Sequence, residues 1–248
     1  MTPLEQHQIE IERNLALWRG KPLLQEIYAG FYQKILQRID TTLPGAVVEI
    51  GSGIGNLKAH LPEAICTDLF PNPWLDLVCD GYELPFAKAS LSHLILFDVF
   101  HHLRRPGAFL NEARRVLLGQ GQGRLILFEP FISVTSYPVY ALLHHEPVAW
   151  TQPISYLTDY PRPRDYYAAQ GNATRLFFSK EAGPGWPGGW KIAHAEAFSS
   201  FHYLLSGGYS RRALYPMKLL DTARRMDGLM SQWPRLFGAR CLVELRNG

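Results

Sequence analysis

Val47-Val48-Glu49-Ile50-Gly51-Ser52-Gly53-Ile54-Gly55-Asn56 decides the fold of this chain: an apolar run passes directly into three glycines at alternate positions. The first half reads as a buried strand. Glycine is needed in the second half because the chain must turn sharply, with no side chain between its backbone and a ligand. Asn56 to Leu61 reads as the start of a helix, whose unpaired N–H groups and positive dipole end suit an anionic or carboxylate-bearing ligand. A dinucleotide fingerprint, Gly-x-Gly-x-x-Gly, would place glycine at 56, where the chain has Asn56. The register is Glu-x-Gly-x-Gly-x-Gly instead.

Outward from this stretch, further apolar runs follow at 64–69, 75–79, 91–97 and 125–128, with a helical pattern (Phe109, Leu110, Ala113, Val116, Leu117) between the last two. Strands alternating with helices predict an α/β protein with a mostly parallel sheet covered on both faces and right-handed crossovers. The stretch from Gly81 to Ser90 leaves little room for a full crossover helix. Before the core, apolar residues from Leu4 to Ile39 recur at helical spacing and are interrupted by Gly20 and Pro22, which predicts two amphipathic helices. After it, residues 131–190 are rich in tyrosine and proline without a long period, as expected of a loop-rich insert or cap. Lys191 to Leu205 resumes a strand pattern, Leu214 to Trp233 is helical, and Arg240 to Leu245 closes with a strand. The expected organisation is one domain: N-terminal helices (1–42), a ligand-binding core (43–130), the insert (131–190) and C-terminal strands with a basic helix (191–248).

The 248 residues, 47% apolar and 19% charged, exclude extensive disorder and suffice for one large domain with a core that needs no disulfides. The net charge of +3 is too small to imply nucleic acid as a partner. It is unevenly placed: Ser210 to Arg240 carries seven basic and two acidic residues, +5, which leaves −2 for the remainder. Arg211, Lys218 and Arg225 recur every seven residues there, while Leu219, Ala223, Met226, Met230 and Trp233 form another face. A solvated helix face is the ordinary meaning of such a pattern; contact with anionic membrane or a phosphorylated substrate is the alternative. Cys66, Cys79 and Cys241 all lie in strand-like runs, which predicts buried reduced thiols and a reducing compartment. The N-terminus has no apolar signal-like region and no window suits a membrane span, so a cytoplasmic location is expected.

The glycine motif resembles the first motif of class I S-adenosylmethionine-dependent methyltransferases, and the likeness extends along the chain. Asp68 closes the next strand, Cys79-Asp80-Gly81 is followed by Leu84-Pro85-Phe86, and Leu94-Ile95-Leu96-Phe97-Asp98-Val99-Phe100-His101-His102-Leu103 resembles the fourth-strand segment of the type 11 enzymes. Leu125-Ile126-Leu127-Phe128-Glu129-Pro130 resembles their fifth strand. The group is similar to the ubiquinone and menaquinone biosynthesis methyltransferases, and the likeness covers about residues 44–130. It implies a Rossmann-like, mostly parallel seven-stranded sheet, S-adenosylmethionine as cofactor with S-adenosylhomocysteine as product, and a small-molecule, lipid or glycan acceptor. It further implies that Gly51, Ser52, Gly53 and Gly55 cradle the cofactor, with Glu49 near the methionine amino group. Asp68 and Leu69 would meet the ribose, Asp80 and Gly81 the adenine, and Phe97 would line the site.

Plainer readings stand beside these. Asp68 could be a helix cap or a loop acid, and Asp80 a turn former. Glu49, in an apolar strand, needs a partner wherever it is buried. His101 and His102 follow the fourth strand at the ligand-binding edge of an open sheet. Either could act as general base towards an acceptor hydroxyl, and a structural role is the alternative. His144-His145-Glu146 invites a metal reading, but adjacent histidines do not easily face one ion in regular structure, so no metal is expected. An NAD-dependent oxidoreductase disagrees with the glycine register and the lack of a Tyr-x-x-x-Lys pair. A non-catalytic S-adenosylmethionine-binding module is the remaining alternative.

Overall fold

The computed structural model describes residues 3–143, 168–179 and 188–248, together with 146, 148, 150, 151, 153, 154, 156 and 157. Seven strands form one sheet: β1 (Ala46–Ile50), β2 (Ile65–Asp68), β3 (Leu77–Val78), β4 (Leu91–Phe97), β5 (Arg124–Pro130), β6 (Trp190–Ser199) and β7 (Gly238–Asn247). Their order is β3-β2-β1-β4-β5-β7-β6. β3, β2, β1, β4 and β5 pair in parallel, while β7 runs antiparallel between β5 and β6. Every residue of β4 is buried, as a central strand covered on both faces requires. Along it the side chains alternate. Leu94 and Leu96 join one core with Phe109, Leu110 and Ala113 of α3 (Pro106–Val116). Ile95 and Phe97 join the opposite core with Leu24, Ile27, Phe31 and Ile35 of α2 (Pro22–Leu36).

The N-terminal region forms α1 (Pro3–Arg19) and α2, separated at Gly20 and Lys21. Pro22 occupies the first turn of α2, where its missing N–H costs nothing. After Gly55 the expected helix is absent. The chain makes only a four-residue 3-10 turn, Asn56–Ala59, because Pro62 disfavours a helical conformation at Leu61. The loop therefore has no helix dipole behind it, and its affinity for a ligand must come from individual N–H groups and side chains. No helix lies between β3 and β4, in keeping with the short 81–90 stretch.

The C-terminal third departs from the sequence reading in three places. The strand pattern stops at Ser199, and Phe201–Ser206 is helix α6. Asp227, buried in α7 (Leu220–Met230), accepts the backbone N–H groups of Phe201 and His202 and so satisfies the start of that helix. Helix 214–233 is shorter than expected: Met217–Leu219 is a 3-10 turn, so Arg211, Lys218 and Arg225 do not share one helix. Of the +5 segment, Arg240 is buried and Arg224 pairs with Glu26, while Met226 and Trp233 are exposed. Cys66 and Cys241 are buried strand residues, but Cys79 lies just past β3 and is half-buried; all three are free thiols. The insert contains α4 (Ser136–Leu143) and α5 (Asn172–Phe177), and Pro234–Phe237 forms the short α8. No described helix is long and apolar enough to cross a membrane.

His93, wholly buried in β4, accepts the Asp40 N–H at Nε2. Burial, with Arg124 nearby, lowers its pKa to about 4. The unfolded chain, with the ordinary value near 6.5, binds a proton more readily, so His93 favours folding above pH 6.5 and loses that contribution towards pH 4. His93→Gln should flatten the fall in the urea midpoint between pH 6.5 and 4.5; a parallel fall in both proteins would contradict this.

Candidate active site

Strand order reverses between β1 and β4, since β1 continues to β2 on one side and β4 to β5 on the other. The crevice beyond the C-terminal ends of these strands is where open α/β sheets bind ligands. A cavity of about 860 Å³ lies there and brings together Glu49, Gly51, Ser52, Gly53, Phe97, His101 and His102. Gly55, Asp68, Leu69, Asp80 and Gly81 do not line it. Asp68 accepts the Gly53 N–H at Oδ2 (3.0 Å) and the Leu69 N–H at Oδ1 (2.7 Å), and thus holds the glycine loop to the end of β2. Leu69 is exposed. Asp80 accepts the Tyr82 N–H at 2.9 Å, the turn-forming contact open to it from sequence, and Gly81 packs near Phe109 and Ile50.

All three glycines of the loop have positive φ, and a Cβ on Gly55 would press on Trp74. Gly51 has φ +70°, and a Cβ there would collide with Val99 Cγ2. Gly53 has φ +52°, but a Cβ there would meet nothing within 4 Å, so it leaves an open cradle. Glu49 is 1% exposed beside this cradle, and burial raises its pKa to about 7. Its carboxylate has the Cys66 thiol at 3.8 Å. A ligand ammonium in the cradle would offset the desolvation of this acid. These residues therefore fit the amino-acid end of S-adenosylmethionine.

At the other end of the cavity, a 3-10 turn, Phe100–His102, follows β4. Glu129, fully buried at the end of β5, receives the N–H groups of Val99 (2.9 Å) and Phe100 (2.6 Å) through Oε1, and His101 Nδ1 through Oε2 (2.6 Å). His101 Nε2 lies 3.3 Å from Glu146 Oε2, and His102 Nε2 lies 3.4 Å from Glu146 Oε1. Although burial opposes it, the two carboxylates raise the His101 pKa to about 10. The same contacts hold Glu146 well below the ordinary carboxylate range. The third polar centre is Arg240, 1% exposed in β7, which pairs with Asp98 and stacks its guanidinium 4.3 Å from the Tyr203 ring.

Sequence reasoning missed Glu129, Glu146 as the partner of His101, and the Asp98–Arg240 pair. One signal was available for Glu129: it is an isolated acid at the end of an apolar strand, as Glu49 is. Glu146 had been grouped with His144 and His145, which lie outside the described residues. Of the insert's tyrosines, Tyr140 lines the cavity and Tyr156 packs in the core against the α3 side. Tyr137 is exposed, and Tyr160, Tyr166 and Tyr167 lie outside the described residues.

The sheet order, with a glycine loop after β1 at the reversal point, defines a class I S-adenosylmethionine-dependent methyltransferase fold. Residues 48–125 match the family model described as a methyltransferase domain. Among solved structures, a chain from the complex between the Haloferax volcanii Trm112 methyltransferase activator and a methyltransferase is 16% identical, with a TM-score of 0.56 over 99% of this chain and 97% of that one. An S-adenosylmethionine-dependent methyltransferase from Thermotoga maritima is 15% identical, with a TM-score of 0.57 over 96% and 99%. Geranyl diphosphate C-methyltransferase from Streptomyces coelicolor A3(2) is 10% identical, with a TM-score of 0.53 over 89% and 79%. These likenesses concern the fold. No curated protein matches the sequence.

Proposed function

We propose that the chain methylates a small acceptor that carries an anionic group, with the cofactor's amino-acid end in the Gly51–Gly53 cradle and its ribose at Asp68. The observation that carries this reading is one continuous cavity, from Glu49 at one end to His101 and His102 at the other. Its rim is cationic: among the described lining residues, Arg13, Arg211 and Arg212 are exposed beside one exposed acid, Glu10. Its wall is aromatic, with Tyr28, Tyr32, Tyr140, Tyr203 and Tyr209. Such a lining suits a ring or hydrocarbon body below an anionic group. The geranyl diphosphate methyltransferase that shares the fold is named for an acceptor of that kind. An anionic membrane remains the competing partner for the exposed face near α7.

Bound S-adenosylmethionine supplies a methyl group already activated on a sulfonium sulfur. The protein has to hold donor and acceptor in line and exclude water, which can supply about 7–11 kcal/mol of the barrier. We place Glu49 and the glycine loop on the donor side, the tyrosines around the acceptor, and α1 and α2 with the insert over both. An acceptor hydroxyl would be activated at the His101–His102–Glu146 cluster. Facing only the two carboxylates, His101 is protonated near neutral pH and is unsuited to act there as a free base.

The reading is tested by thermal shift and methyl transfer. S-Adenosylhomocysteine should stabilise the protein and NAD should not; stabilisation by NAD alone would reverse the assignment. Labelled methyl should reach phosphate- or carboxylate-bearing acceptors in preference to neutral analogues. Arg211→Glu with Arg212→Glu should raise KM at least tenfold with little change in kcat, and equal use of neutral acceptors would remove the anionic assignment.

A pH dependence follows from Glu49. The free protein must lose the Glu49 proton before the carboxylate can pair with the cofactor's ammonium. S-Adenosylhomocysteine affinity should therefore fall by about tenfold per pH unit below about 7 and level off above it. Glu49→Gln should flatten the profile; an unchanged profile by calorimetry would remove Glu49 from the ammonium site.

A further inference from the structure

We propose that His101, His102 and Glu146 bind a divalent first-row transition metal at the acceptor end of the cavity. One nitrogen from each histidine and one carboxylate oxygen lie within 4.8 Å of one another. The two measured spacings, His101 Nε2 to Glu146 Oε2 at 3.3 Å and His102 Nε2 to Glu146 Oε1 at 3.4 Å, are long for charge-assisted hydrogen bonds, which run at about 2.7–2.9 Å. Each is close to the separation of about 3.4 Å between two ligands standing about 2.1 Å from a zinc-sized ion, with one histidine facing each carboxylate oxygen.

Adjacent histidines can share an ion here because they sit on a tight 3-10 turn and not in a regular strand. Their ring centroids are 4.1 Å apart with a 40° tilt, and both Nε2 atoms reach the same carboxylate. Each buried ligand is also held from behind. Glu129 Oε2 takes His101 Nδ1 at 2.6 Å and directs Nε2 towards Glu146. Gln170 Nε2 donates to Glu146 Oε2 at 2.6 Å. A carboxylate behind a histidine ligand is the usual means of fixing its tautomer and ring orientation at a metal. Two imidazoles and one carboxylate favour zinc or ferrous iron over magnesium or calcium. All three residues line the cavity, so an ion held there would be reachable from it, as a catalytic site requires.

The role assigned to the metal rests on the proposed acceptor reading. An acceptor hydroxyl coordinates the ion and gives its proton to solvent. Its oxygen then attacks the methyl carbon; the C–O bond forms as the C–S bond breaks, S-adenosylhomocysteine leaves, and the metal keeps its oxidation state.

The test uses the full chain, stripped with chelator and titrated with Zn2+ in competition with a chromophoric chelator, with Co2+ as a visible-absorption probe. One equivalent should bind per chain, and His102→Ala, at a half-buried position, should weaken binding at least a hundredfold. Glu146→Gln should do the same, and Glu129→Gln, a positioning change, should weaken it about 10- to 100-fold. S-Adenosylhomocysteine affinity should stay within twofold in the His102 and Glu146 variants. Substoichiometric metal, or equal affinity in wild type and His102→Ala, overturns the site. Failure of S-adenosylhomocysteine to bind any of these proteins, with metal binding intact, overturns the cofactor reading and leaves the metal site standing.

Discussion

Asp68→Ala is expected to weaken S-adenosylhomocysteine binding by a hundredfold or more. The carboxylate already accepts the N–H groups of Gly53 and Leu69, which orient it at the tip of β2 and use one lone pair of each oxygen. In the proposed cofactor pose the remaining lone pairs would accept from a vicinal diol. Hydrogen bonds to a charged group contribute about 1.5–3 kcal/mol each, so losing two costs about 3 kcal/mol or more, which is at least a hundredfold in affinity. Release of the Gly53 tether adds to the loss, because the cradle is then free to shift. Asp68→Asn keeps one acceptor and should fall between the two. Calorimetric titration measures both, and an affinity unchanged in the alanine variant would remove Asp68 from the ribose.

The second large effect concerns stability. Asp98→Asn should destabilise the fold by up to about 3 kcal/mol, the lower end of the range for leaving a buried charge without its partner, since Arg240 is buried although Asp98 is only partly so. Arg240 is 1% exposed on β7 and has Asp98 as its counter-charge, while the aromatic rings of Tyr203, Phe31 and Phe128 surround the guanidinium. Asparagine isolates the charge, since Asp98 has φ +57° and asparagine accepts that conformation. Pairing it with Arg240→Met should recover most of the loss, because a thioether packs against the same rings and needs no counter-charge. Denaturant midpoints of the two single variants and the double variant give the coupling. A loss below 1 kcal/mol in Asp98→Asn would mean that the rings alone hold the guanidinium.

Local pattern carried the central sheet. β4 and the β1 loop could be read directly because a strand buried on both faces is a continuous apolar run, and because three alternate glycines after such a run have few uses. The core of the methyltransferase resemblance is likewise contained within a contiguous stretch. What sequence did not disclose depends on residues far apart in the chain. Glu146 meets His101 across 45 positions, and Arg240 meets Asp98 across 142. Arg240 counted as one more charge in a basic segment until β7 placed it inside the sheet. The missing helix after Gly55 and the break at Ser199 reflect a second limit. Pro62 and the Asp227 cap override an apolar pattern that fits more than one element.

Lys21 stands at the corner between α1 and α2, and its ammonium donates to the carbonyls of Gly208 and Arg211, each at 2.6 Å. That corner belongs to one wall of the cavity, where α1 presents Arg13, and the carbonyls belong to the other, which presents Arg211 and Arg212. Lys21 thus ties the two cationic walls together, beside the stack of Trp18 on Tyr209. Neither wall can draw back without breaking both bonds or carrying its neighbour along.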